Sequence, residues 1–89
     1  LKQNYPNPFN PSTTIEFSIP KSEFVNLKVY NNLGQEVAIL VSEKLAAGEY
    51  KYYWDVSLAS GWHGLASGVY LYKFQTSDYI ETKKMILLR

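Results

Sequence analysis

Few side chains in this sequence could do covalent chemistry. His63 is the single histidine, and the groups weighed as its partners are Ser67, Asp55 and Glu36. A nucleophile–base–carboxylate triad is defined by geometry, and no spacing among these four implies one. There is no cysteine, so thiolate nucleophiles and disulfides are excluded. A structural zinc site takes about four nitrogen, sulfur or carboxylate ligands, which one histidine leaves far short. The expectation is a chain with no catalytic residue, no metal and no cofactor. Trp62 and His63 lie between Gly61 and Gly64. There a Trp could stack on a sugar ring and a His could titrate near neutral pH. One aromatic without converging polar groups makes a weak site, so an exposed or folded-back loop is the preferred reading of this possible ligand loop.

Two other groups suit recognition better than catalysis. Tyr5, Pro6, Asn7 and Pro8 open a segment that holds three of the four prolines. Proline fixes φ and pushes its predecessor towards extended geometry. The segment is therefore a turn-rich lead-in, with Tyr5 and Phe9 free to pack on the domain edge. It reads either as a recognition element or as a rigid cap that blunts a sheet edge. Lys83, Lys84 and Arg89 form a basic cluster in the last stretch of sequence. They read either as a feature seen by a partner or as the solvated face of an edge strand, where lysine discourages pairing.

These groups must be carried by strands. Thr13 to Ile19 alternates, with Ile15, Phe17 and Ile19 on one face. Val25 to Tyr30 does the same with Val25, Leu27 and Val29. Glu36 to Val41 reads as a short strand followed by loop; the competing helix from Glu36 to Ala47 is set aside because its first half is β-branched and short. Gly48 to Asp55 places Tyr50, Tyr52 and Trp54 on one face, and Val69 to Thr76 places Tyr70, Tyr72 and Phe74 on one face. Tyr79 to Leu88 is a last strand or a pair of short ones. Gly34, Gly48 and Gly68 mark turns or strand entries. The predicted core contains Ile15, Phe17, Leu27, Val29, Tyr50, Trp54 and Tyr70. Leu58-Ala-Ser-Gly61 recurs as Leu65-Ala-Ser-Gly68, which lengthens the connection between the fourth and fifth strands.

The pattern predicts an all-β fold, an antiparallel sandwich of about seven strands. Residues 1–12 form the lead-in and residues 13–89 the sandwich. With 46% hydrophobic residues and 16% aromatics, the core has to carry stability without cross-links. A net charge of +1 offers no field for nucleic acid, and no apolar run is long enough to span a membrane as a helix. The start, Leu1-Lys2-Gln3-Asn4, has neither a basic n-region nor an apolar h-region. Without an initiator Met either, the chain reads as a piece of something longer.

Several blocks of the sequence resemble, in order and spacing, type A C-terminal sorting domains of the type IX (Por) secretion system. They are Asn4-Tyr-Pro-Asn-Pro-Phe-Asn-Pro-Ser-Thr-Thr-Ile15, Leu27-Lys-Val-Tyr-Asn-Asn-Leu-Gly-Gln-Glu-Val37, Ala47-Gly-Glu-Tyr50, Trp54-Asp55, Ala66-Ser-Gly-Val-Tyr70 and Thr82-Lys-Lys-Met-Ile-Leu-Leu-Arg89. The doubled Leu-Ala-Ser-Gly departs from the family pattern. The resemblance implies an immunoglobulin-like sandwich at the end of a secreted or surface protein of the Bacteroidetes and their relatives. It implies a cargo domain on the N-terminal side, passage through the periplasm, and an outer-membrane translocon and a surface sortase as partners. The destination would be the cell surface or the medium, with the domain removed or exchanged for a surface anchor. The rival reading is a carbohydrate-binding or structural accessory module of a secreted hydrolase.

Overall fold

Alternation of apolar and polar residues gives the strands at Ser12–Ile19 and Glu23–Asn31 one dry face each. In the computed structural model, which describes residues 1–9, 11–56 and 66–88, six strands form. They are β1 (Ser12–Ile19), β2 (Glu23–Asn31), β3 (Glu36–Leu45), β4 (Gly48–Asp55), β5 (Gly68–Gln75) and β6 (Ile80–Leu87). No helix occurs among the described residues. Two antiparallel sheets result, one of order β1-β4 and the other of order β3-β2-β5-β6.

The count of six corrects the expected seven. The extra strand came from splitting Tyr79 to Leu88, but β6 pairs with β5 in one unbroken register from Gly68↔Leu87 to Gln75↔Ile80. A second correction concerns β3, which continues through Leu45 instead of giving way to a loop after Val41. Its later residues are good helix formers. Pairing of Ser42 to Leu45 with Asn26 to Glu23 holds them extended, since tertiary pairing overrides so weak a preference.

The core lies between the two sheets. Ile15, Phe17 and Ile19 of β1 and Trp54 of β4 meet Val25, Leu27 and Val29 of β2, Tyr70, Tyr72 and Phe74 of β5, and Met85 and Leu87 of β6. Phe9 of the lead-in is also fully buried, its ring 5.9 Å from that of Trp54. Tyr50 departs from the predicted core by being only half-buried. Its strand is a sheet edge, so its ring stacks on Phe17 on one side, at 5.4 Å, while its hydroxyl stays exposed. On the faces turned away from the core, Tyr53 and Val69 are exposed.

Gly48 and Gly68 start β4 and β5 with φ of 151° and 156°, a backbone that residues with a Cβ rarely adopt. Each is followed two residues on by a tyrosine whose hydroxyl reaches back. Tyr50 donates to the Ala46 carbonyl at 2.6 Å, and Tyr70 to the Ala66 carbonyl at 2.7 Å. The β2–β3 turn is held by Asn31, whose Oδ1 accepts from the backbone N–H groups of Leu33 and Gln35, with Gly34 at its tip.

Candidate recognition surface

The two sequence-predicted recognition groups are distant in the chain and adjacent in space. The lead-in runs first along β1: Tyr5 N–H donates to the Thr14 carbonyl at 3.0 Å, and Thr14 N–H to the Tyr5 carbonyl at 2.8 Å. It then crosses to β6. Phe9 N–H donates to the Ile86 carbonyl at 2.9 Å, and Leu88 N–H to the Phe9 carbonyl at 3.0 Å. The Asn7 side chain closes the same seam, its Oδ1 accepting from Ile86 N–H at 2.9 Å. Gln3 Nε2 donates to the Lys84 carbonyl at 2.7 Å. The lead-in thus stitches the open side between β1 and β6 with backbone bonds to both sheets. Tyr5, Pro6, Asn7 and Pro8 remain exposed along the seam, and the Tyr5-Pro6 and Asn7-Pro8 peptides are cis.

Lys83 and Lys84 do not form one patch. Side chains of a strand alternate, and the register places Lys83 opposite Tyr72 and Lys84 opposite Leu71. Lys83 shares the face of Met85 and Leu87 at its margin, half-buried, and pairs with Glu81 at 3.3 Å. Lys84 projects from the outer face of the four-stranded sheet and is exposed. Arg89, Trp62, His63 and most of the doubled Leu-Ala-Ser-Gly stretch lie outside the described residues.

A polar hub beneath the lead-in escaped the sequence reading. Asn4 is buried, and its Nδ2 donates to Thr13 Oγ1 at 2.9 Å and to the Pro6 carbonyl at 3.2 Å. Its Oδ1 accepts from Gln3 Nε2. Its backbone N–H donates to the Tyr72 hydroxyl at 2.9 Å, and that hydroxyl donates onward to the Lys2 carbonyl, also at 2.9 Å. Buried polar groups are costly unless bonded, so this network fixes how the lead-in crosses the end of the core. Two signals were available: an asparagine heading the proline block, and a tyrosine hydroxyl on an inward-facing strand position, which needs a partner.

Titration follows these contacts. Burial raises the Tyr72 phenol above its ordinary range, opposed by the hydrogen bond from Asn4 and aided by the nearby Glu81 charge. The hydrogen bond from Tyr79 holds Glu81 below the usual carboxylate range, supported by Lys83. The hydrogen bond to Glu16 raises Tyr5. No group of three or more histidine, cysteine or carboxylate side chains suited to a metal ion occurs among the described residues. No helix among them is long and apolar enough to cross a membrane.

Comparison with known proteins gives one match. The family model described as a secretion system C-terminal sorting domain aligns with residues 3–88. No curated protein and no solved structure matches the chain significantly.

Proposed function

From the premise that this chain belongs to the family of secretion system C-terminal sorting domains and is a sorting signal for type IX secretion, we propose that the machinery reads the seam where the lead-in meets β6. The carrying observation is the joining of Asn7 and Phe9 to Ile86 and Leu88, which makes one surface of two segments at opposite ends of the sequence. Residues 1–12 serve as a lead-in packed on the edge of the sandwich of residues 13–89. The read-out residues are Tyr5, Pro6, Asn7 and Pro8 of the lead-in, Lys83 and Lys84 on the two faces of β6, and Arg89, which lies outside the described residues. Secreted type IX cargo reaches the cell surface or the medium. The finer route is periplasmic transit, then engagement of an outer-membrane translocon and a surface sortase. The domain's role is that of an address and not of an enzyme.

The fold that presents this surface is immunoglobulin-like, with β1 as strand B, β2 as C, β3 as C′, β4 as E, β5 as F and β6 as G. The observed orders β1-β4 and β3-β2-β5-β6 support this, since the four-stranded sheet then reads C′-C-F-G. The lead-in takes the place of strand A. The Tyr70 hydroxyl bonded to the Ala66 carbonyl at the start of β5 matches the tyrosine corner of such folds.

A periplasmically targeted reporter fused ahead of Leu1 tests the reading. It should leave the cell in a host with type IX machinery and stay periplasmic when the translocon is disabled. Lys84→Glu is the sharper variant, because Lys84 is exposed and forms no ion pair among the described residues. A folded Lys84→Glu fusion that is retained makes the lysine part of the signal. A folded one that is exported reduces Lys84 to the solvated face of a sheet.

A further inference from the structure

The two sheets have four edge strands, and among the described residues three of the edges are protected. The lead-in covers β1 through Lys2 and Tyr5, and β6 through Phe9 and Asn7. The β3 edge is broken by register shifts against β2 at Leu27/Lys28 and at Val29/Tyr30, and bulges of this kind blunt an edge. β4 has none of these devices. It pairs with β1 in an unshifted register from Gly48↔Ile19 to Asp55↔Ser12. It contains no proline, and no second strand among the described residues pairs with its other side. A two-stranded sheet is also the least self-sufficient kind.

The β4 sequence says what fits there. Tyr50, Tyr52 and Trp54 face inward, and Glu49, Lys51 and Tyr53 face outward. A lone lysine ordinarily discourages edge pairing; Lys51 has Glu16 opposite it on β1, and on its free side it discourages pairing unless the incoming strand also brings a carboxylate. Residues directly opposite in an antiparallel pair share a face. Pairing β4 with β4 of another copy about a two-fold axis at Tyr50 sets Glu49 against the second copy's Lys51, and Lys51 against its Glu49. Neither side chain is in an ion pair among the described residues. The same register sets Tyr52 of each copy over Gly48 of the other, where the position of a Cβ is open space. The two Tyr50 rings meet at the axis. On the inward side this edge borders a groove of about 300 Å³ between β3 and β4, lined by Phe17, Leu40, Val41, Tyr50 and Tyr52.

We propose that the free edge of β4 is a self-association site, where two copies of this domain join β4 to β4 antiparallel through Gly48 to Tyr52 and form a continuous β1-β4-β4-β1 sheet. One register satisfies both charges and both glycines, so pairing is selective for a second copy. A short, partly exposed seam makes the dimer weak and salt-sensitive.

Analytical ultracentrifugation of the 89-residue chain tests this, from about 10 µM to about 1 mM in low salt. The weight-average mass should climb from 10.2 kDa towards twice that value. Glu49→Lys and Lys51→Glu should each weaken association about tenfold, because two attractive pairs become two repulsive ones. An equimolar mixture of the two variants should recover it, since the lysines of one then face the glutamates of the other. Glu49 stands opposite Ser18 within its own sheet, so Glu49→Lys leaves the fold's own pairing undisturbed, whereas Lys51 stands opposite Glu16, so Lys51→Glu sets two carboxylates together at some cost in stability; thermal melting checks that both variants stay folded. A monomer at every concentration overturns the proposal. So do single variants that associate like the parent chain, or a mixture of folded variants that stays monomeric.

Discussion

The segments Ala46-Ala-Gly-Glu-Tyr50 and Ala66-Ser-Gly-Val-Tyr70 build the same local device and meet different fates. Both place a glycine near φ +150° and return a tyrosine hydroxyl to the carbonyl four residues back. Tyr50 opens an edge strand of a two-stranded sheet and stays half-exposed. Tyr70 opens β5, which lies between β2 and β6, and is buried. The local chain fixes the shape of each strand entry. Its worth to stability is set by what the neighbouring sheet lays against the ring.

The largest test of this contrast is truncation of the rings. Tyr70→Ala should cost about 3–5 kcal/mol, as for other buried aromatics. Tyr50→Ala should cost about 1–2 kcal/mol, from partial burial and lost stacking on Phe17. At about 4–8 °C per kcal/mol for a domain of this size, thermal melts separate the two clearly. Equal shifts would break the comparison.

Next come the glycines, where the two sites should behave alike. A Cβ at Gly48 or Gly68 meets nothing within 4 Å, so the penalty is purely conformational. Gly48→Ala and Gly68→Ala should each cost about 1–3 kcal/mol, measured by urea unfolding. A much larger loss at Gly68 would mean that β5 transmits the strain into the core.

Removal of the hydroxyls is a finer probe. Tyr70→Phe leaves the Ala66 carbonyl without its part-buried donor and should cost about 1 kcal/mol. Tyr50→Phe frees an exposed carbonyl to water and should cost less than about 0.5 kcal/mol. A reversal of this order would show that the edge turn depends on its hydroxyl more than the central one does.

The smallest effect is a pH dependence carried by β5. The folded-state pKa of Tyr72 is raised above 10.0, chiefly by burial. Its contribution is therefore fully present below the unfolded pKa and is lost as pH rises through the folded one. Stability should decline above about pH 10, and Tyr72→Phe should flatten part of that decline in denaturant titrations at successive pH values. An unchanged slope would sever the link between the buried phenol and alkaline unfolding.

Most strands were legible because alternation is a local record of which face is dry. Gly48–Asp55 was read at its true bounds. The end of β3 was misread because Glu43, Lys44 and Leu45 favour helix, and only pairing with β2 keeps them extended. The Asn4–Tyr72 bond joins residues 68 apart, a separation at which no spacing rule operates. The motif blocks carried the family resemblance, since the Pro-rich opening and the glycine entries are local demands on the backbone.

By itself the sequence determined the β-class, the dry faces of β1, β2, β4 and β5 and the glycine-dependent turns. These follow from pleat geometry and from φ, both properties of a few adjacent residues. Tertiary structure alone decided that the lead-in crosses from β1 to β6, that β5 is central and that β4 keeps a free edge among the described residues. Those outcomes depend on which backbone donors and acceptors find partners across the whole chain. A strand's own residues specify its faces, whereas its neighbours are chosen by long-range pairing and by burial of the shared core.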